Sequence, residues 1–316
     1  MKRRSPINVA ASIRARLQRH SKSSGEDFQF LLQRYASERF LYRLGQSAHR
    51  SRYILKGALL FAIWGGSLYR PTRDLDFTGY GSAETGDVLA SLQEVCNVPV
   101  VDDGLSFDAT TLTAEPIRDD AEYHGLRIKL RATLANARIP MQIDIGFGNA
   151  IEPPAVDADY PTLLDSPAPH IKAYPHEGVV AEKFHAIVVL GERNSRYKDF
   201  YDLSVLARQF SFEGARLSRA ITATFTRRQT AVTGAFPAGL SPRFYVDNAR
   251  AGQWRAYLGR GELPGAPSDF AMVGELLQTF LGPVWRAIAA GKAFTDSWPA
   301  GGPWSAAPPS DPEALS

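Results

Sequence analysis

Residues 70–77 read "RPTRDLDF", with Asp74 and Asp76 two apart and Leu75 and Phe77 interleaved. In a strand, the period of two sends both carboxylates to one face and both apolar side chains to the other. Neighbouring like charges repel unless a cation is shared between them, and a divalent metal is the usual solution. Arg70 and Arg73 flank the pair and offer another way to balance its charge or to touch a phosphate. The plainer alternative is a solvated strand end that happens to carry two acids.

Working outward, "YILKGALLFAIWGG" (53–66) predicts a short strand over Tyr53–Leu55, a turn at Gly57 and a buried helix stopped by Gly65-Gly66. After the acidic strand, "SAETGDVLASLQEVC" (82–96) reads as an amphipathic helix. "LRIKLRATL" (126–134) and "IPMQIDIGFG" (139–148) alternate as two strands joined near Asn136. Ile143 and Ile145 flank Asp144, which therefore projects away from them. Three carboxylates on neighbouring strands can hold two divalent ions about 4 Å apart, clamping the attacking and leaving oxygens of a phosphoryl displacement.

The N-terminal region predicts two helices. "INVAASIRARLQRH" follows Ser5-Pro6, which reads as a cap and first helical position, and the polar "SKSSGED" ends it. In "DFQFLLQRYASERFLYRLGQS", Phe28, Leu31, Leu32, Tyr35, Phe40, Leu41 and Leu44 repeat at helical spacing. From about residue 171 the chain reads as all-helical, through "PHEGVVAEKFHAIVVLGE", "KDFYDLSVLARQF", "FEGARLSRAITATFTRR" and "DFAMVGELLQTFLGPVWRAIAAG". The expected organisation is basic N-terminal helices over 1–50, a mixed α+β core over 51–170, a helical domain over 171–297, and a disordered Pro/Gly/Ala-rich tail over 298–316.

Composition narrows the class. The chain has 316 residues, 44% of them hydrophobic, and the single cysteine, Cys96, rules out an internal disulfide framework. The longest apolar run is about half of the roughly 20 residues that cross a bilayer, and the N-terminus lacks the apolar core of a signal peptide. A soluble cytoplasmic protein with no membrane partner is expected. The net charge of +3 hides an asymmetry: residues 1–53 carry twelve Lys/Arg against three acids, leaving 24 basic and 30 acidic residues for the remainder. Such an arm suits a phosphate-rich partner, with Arg14, Arg16, Arg19 and Lys22 as the candidate nucleic-acid contacts; the alternative is a solvated helix face.

In the helical half, Val179, Lys183, Ile187 and Leu190 fall on one stripe, so Lys183 interrupts an apolar face and needs a phosphate or carboxylate partner. Asp199 and Asp202 share a helix face by their spacing of three, with Lys198 beside them. His185 lacks a second histidine at ligand spacing and reads as packing.

The blocks "YILKGALLFAIWGGSLYRPTRDLDF" (53–77) and "AEKFHAIVVLGERNSRYKDFYDL" (181–203), taken with the order strand, Gly turn, helix, DxD strand and later single-Asp strand, resemble the AbiEii/AbiGii toxin family. These are nucleotidyltransferase toxins of abortive-infection and type IV toxin–antitoxin systems, within the polymerase-β-like nucleotidyltransferase superfamily. The resemblance implies an α+β fold, with a polymerase-β-like core and mixed sheet preceded by helices and followed by a helical domain. It implies Asp74, Asp76 and Asp144 as ligands of one or two Mg²⁺ ions, Asp144 serving as third ligand or base. Lys183 would be a triphosphate ligand and Asp202 the late essential aspartate, the helical half closing over the nucleotide. The phosphate-binding Gly-Gly/Ser position falls on Lys56-Gly57-Ala58, a departure from the family pattern that loses a hydroxyl. The implied reaction moves a nucleotide from an NTP to an RNA acceptor, the tRNA 3′ end, arresting translation, with a cognate antitoxin that need not form a stable complex. Thr72 matches a Ser or Thr that can itself be phosphorylated in some relatives, as an off switch. A small-molecule nucleotidyltransferase of the antibiotic-modifying type and a non-catalytic nucleotide- or RNA-binding module remain open as alternatives.

Overall fold

The computed structural model describes residues 8–65, 70–118, 124–148, 151–261, 263 and 265–306. Its chain divides into two units, Met1–Asn149 with Ala155–Tyr174, and Ala150–Pro154 with Pro175–Ser316.

The first unit begins with α1 (Val9–Ser24). Asn8 caps it by accepting the Ala11 N–H at 2.9 Å, and Gly25 ends it in the left-handed conformation at φ +80°. Ser5 and Pro6, expected as cap and first turn, lie outside the described residues. "SKSS" continues the helix instead of ending it, and the break falls on the glycine. In α2 (Phe28–Gln46), Asp27 accepts the Phe30 N–H at 2.9 Å. The apolar stripe of α2 is buried as its spacing predicts, apart from the terminal Phe28, but so are three charged residues. Arg43 forks onto Asp103 at 2.6 and 3.0 Å, and Glu38 accepts the Leu163 N–H at 2.7 Å.

The remaining elements of this unit are β1 (Tyr53–Lys56), a 3-10 turn (Gly57–Leu59) leading into α3 (Leu60–Gly65), β2 (Asp74–Gly79), α4 (Thr85–Cys96), β3 (Leu105–Arg118), β4 (His124–Leu134), β5 (Ala137–Phe147), β6 (Val156–Asp159) and β7 (His170–Ala173). They build a seven-stranded mixed sheet in the order β3-β4-β5-β2-β1-β7-β6. β2 runs parallel to β5 and β1 to β7, while the other pairs are antiparallel. α2 packs on β5 and β7, and α4 on β3. The fold class is thus α+β with a mixed sheet, as expected. β1 extends one residue further than expected, to Lys56, and α3 ends at Gly65; Gly66 lies outside the described residues. Strands β3, β6 and β7 were not legible from alternation.

The second unit holds α5 (His176–Leu190), α6 (Tyr197–Gln209), β8 (Phe212–Glu213), α7 (Gly214–Arg227), α8 (Pro242–Tyr245), α9 (Asn248–Leu258), α10 (Phe270–Ala289) and β9 (Ser297–Trp298). It is not purely helical, because Phe212 pairs with Trp298 in a two-stranded ribbon. That pairing corrects the expectation of disorder from residue 298. Trp298 is buried and donates its indole N–H to the Ala207 carbonyl at 2.7 Å, while Trp304 stacks on Phe280 and donates to its carbonyl at 2.7 Å. Two tryptophans, each with its indole N–H satisfied, outweigh the flexibility that Pro/Gly composition suggests; residues 307–316 lie outside the described ones. Among the described residues, no helix is long and apolar enough to cross a membrane.

Candidate active site

On β2, Leu75 and Phe77 are buried while Asp74 and Asp76 are half-buried. On β5, Ile143 and Ile145 are buried and Asp144 is half-buried. The alternation works because one sheet face buries the apolar set and the other carries the acids. Asp76 lies opposite Asp144 on the parallel β5 and opposite Lys56 on the antiparallel β1, and Asp74 lies opposite Gln142. Adjacent strands run about 4.8 Å apart, so the three carboxylates and Lys56 share one patch of one face.

Gly57 explains the turn after β1. Its φ is +76°, and a Cβ there would come within 2.9 Å of the Asp76 Cβ and Cγ. Any side chain would both strain the backbone and strike the carboxylate. Lys56 ends β1 on the same face, and Ala58 is buried in the 3-10 turn. Thr72 is half-buried in the segment before β2, and the Arg73 carbonyl accepts from Gln33 at 3.4 Å.

Arg127 of β4 was not among the residues expected here. It lies opposite Asp144 and grips it with both prongs, Nε to Oδ1 at 2.9 Å and a terminal nitrogen to Oδ2 at 2.8 Å. The hydrogen bonds that Arg127 donates to Asp144 raise the guanidinium above its ordinary value, against burial, which lowers it, with the charges of Asp144, Asp74 and Glu115 adding to the rise. Gln142 adds a longer contact to Asp144 Oδ2 at 3.4 Å. Among the described residues, no cluster of three or more His, Cys, Asp or Glu is gathered as a metal site. The donor set of Asp74 and Asp76 is hard carboxylate oxygen, which suits Mg²⁺; Asp144 is arranged as the partner of Arg127.

In the second unit, Lys183 does have carboxylate partners. Its Nζ lies 2.9 Å from Asp199 Oδ1 and 2.7 Å from Asp202 Oδ2, and Arg196 Nε lies 2.6 Å from Asp199 Oδ2. Asp199 and Asp202 are buried on α6, as their spacing of three predicts. Burial alone would push the Asp199 carboxyl up, but Lys183 and then Arg196 hold it down at about 2. Lys198 is exposed and takes no part in this cluster. His185 is packed, edge-on to Phe225 and bonded to Thr230 at 2.8 Å. Burial, with Arg228 nearby, lowers His185 to about 4.

The basic arm is not one cationic face. Arg16 pairs with Asp165 at 2.9 Å and Arg14 lies over the Phe28 ring, while Arg19 and Lys22 are exposed. A concavity of about 570 Å³ runs beside Arg14 and Asn136, and another of about 660 Å³ lies beside Arg219 and Phe294 in the second unit. Neither is lined by the carboxylates of β2 and β5.

A family model described as "Nucleotidyl transferase AbiEii toxin, Type IV TA system" matches residues 39–278. Two solved structures are similar. One, described as a "putative nucleotidyltransferase from H. pylori", has a TM-score of 0.44 and 14% identity, covering 80% of this chain and 93% of the other. The second, JHP933 from Helicobacter pylori, has a TM-score of 0.44 and 12% identity, covering 80% and 90%. At these TM-scores the likeness carries no functional argument. No curated protein matches the sequence.

Proposed function

Because the chain belongs to the AbiEii family of nucleotidyltransferase toxins of type IV toxin–antitoxin systems, we propose that it moves a nucleotide from an NTP to an RNA hydroxyl, that of the tRNA 3′ end, and so blocks translation. The observation that carries this reading is the pairing of Asp76 with Asp144 beside the side-chain-free backbone of Gly57. Asp74 and Asp76 would hold Mg²⁺, joined by Asp144 as third ligand or, alternatively, with Asp144 as base for the acceptor hydroxyl. Mg²⁺, when bound, supplies the charge that stabilises the attacking and leaving oxygens. Lys56 and the backbone at Gly57-Ala58 would receive phosphate. Lys183 would bind the triphosphate by exchanging a carboxylate for a phosphate, and Asp202 would hold it in place meanwhile. An antitoxin partner follows from the family.

The small-molecule alternative gains from one observation. Arg16, one of the four cations invoked for RNA, already has an internal partner in Asp165. Incubating the purified protein with each labelled NTP, Mg²⁺ and total RNA separates the readings. Label in RNA that disappears in the Asp74→Asn/Asp76→Asn variant supports RNA transfer. Absence of RNA labelling with every NTP, or labelling indifferent to the double substitution, overturns it.

A further inference from the structure

Asp144 has two oxygens, and Arg127 takes both, at 2.9 and 2.8 Å. A divalent ion shared among Asp74, Asp76 and Asp144 would need at least one of those same oxygens. Arginine and metal are competitors for the third carboxylate, because both are cations drawn to the same negative charge and they repel one another when crowded onto it. Arg127 is also well placed to leave. Its side chain is 41% exposed against 17% for Asp144, and among the described residues its only hydrogen bonds are the two to Asp144. β4 and β5 are fixed to one another by a continuous antiparallel register from Gly125–Gly146 to Leu134–Ala137. The exchange thus needs only a side-chain swing and no change of backbone.

We propose that Arg127 is a positioning residue that acts as the competing counter-ion of the acidic face. It neutralises and orients Asp144 while no metal is bound, and its displacement is the step by which Asp144 joins the metal site. Arg127 would thereby set how much divalent cation the site requires. The inference rests on the reading of Asp74, Asp76 and Asp144 as a nucleotidyl-transfer site.

Titration with Mn²⁺, followed by electron paramagnetic resonance on the full-length protein, tests it without reference to activity. Arg127→Gln is expected to tighten Mn²⁺ binding by about tenfold, the order of one lost hydrogen-bonded charge contact. Arg127→Lys, which keeps the charge but not the fork, should fall between Gln and wild type and serves if the Gln variant folds poorly. In an Asp144→Asn background, Arg127→Gln should have a much smaller effect, since the contested negative charge is gone. As a second readout, the rise in Tm on adding Mg²⁺ should be larger in Arg127→Gln than in wild type, starting from a lower Tm in EDTA.

Folded Gln and Lys variants that bind Mn²⁺ as wild type does would overturn the inference, as would Mn²⁺ failing to bind to any of them. The labelled-NTP assay judges the functional reading separately. Transfer that is lost in Asp74→Asn/Asp76→Asn alongside unchanged Mn²⁺ affinities would sink only the role of Arg127. Competition at Asp144 without any nucleotidyl transfer would sink only the function.

Discussion

Asp76 and Asp144 face each other across the parallel pair β2–β5, one residue from two strands far apart in the chain. Two carboxylates so placed repel unless neutralised. The structure surrounds them with Lys56 on one side and Arg127 on the other. Each of these two carboxylates therefore has a cation beside it before any metal binds, and substitutions there should act on chemistry more than on folding.

Asp74→Asn and Asp76→Asn keep side-chain shape and would weaken the Mg²⁺ binding proposed for these residues. Each should lower nucleotide transfer by about 100-fold or more and relieve growth inhibition on expression, with Tm nearly unchanged. Full toxicity of the folded double variant would remove these residues from the site.

Gly57→Ala should be costly out of proportion to its size. The left-handed backbone disfavours a Cβ by about 1–2 kcal/mol, and the added carbon would come within 2.9 Å of Asp76 carbons. Thermal unfolding and the transfer assay should both register the change. Wild-type Tm with wild-type transfer would show that the turn relaxes freely.

Lys183→Ala tests a buried charge cluster. It leaves Asp199 and Asp202, exposed by only 1% and 0% at their side chains, without their shared ammonium. Breaking a buried pair from one side costs about 3–5 kcal/mol, so the variant should unfold at markedly lower denaturant. The double change Lys183→Met with Asp202→Asn should recover part of the loss. If Lys183→Ala proves as stable as wild type, the cluster is wetter than its burial indicates.

His185 predicts an acid-side weakening of the second unit. Its folded-state value of about 4 lies below the roughly 6.5 of an unfolded chain, so the unfolded state binds the proton first. The stability contributed by keeping the ring neutral is present above about pH 6.5 and is lost as pH falls towards about 4, with a slope of at most about 1.4 kcal/mol per pH unit. His185→Gln should flatten denaturant stability across that window. An unchanged slope would assign the pH dependence to other groups.

The arm should bind RNA unevenly. Neutralising Arg19 and Lys22, both exposed, should weaken tRNA binding across sequences and reduce its log–log salt slope by roughly 0.7 per lost contact for single strands. Neutralising Arg16, already paired with Asp165, should change it less. Identical affinities and slopes in all variants would make the arm a solvated helix face.

What could be read from the chain alone were features of local period. The apolar stripe of α2, the alternation of Leu75 and Phe77 with Asp74 and Asp76, and the turn near Asn136 are each set by neighbours within a few residues, where sterics and burial leave one answer. Arg127 was within reach by the same logic. A tight turn at Ala135-Asn136 places Leu134 opposite Ala137, and counting back along the hairpin brings Arg127 to Asp144. Arg127 is not distinguished in the sequence, because "LRIKLRATL" repeats a cation at every second position, at Arg127, Lys129 and Arg131.

Tertiary structure decided what depends on strands meeting across long separations. β7 reads as no strand by itself and becomes one by pairing antiparallel with β6 along its length and parallel with the distant β1 at Ala173. Trp298 and Trp304 give a Pro/Gly tail a place only because Phe212 and Phe280 are there to receive them. Lys183 shows the division within a single residue. Its position on an apolar stripe demanded an anionic partner, which the sequence alone determined, because an unpaired ammonium is too costly to bury. That the partners are Asp199 and Asp202 together was decided by the packing of α5 against α6, since only that contact brings both carboxylates within 3 Å of one nitrogen.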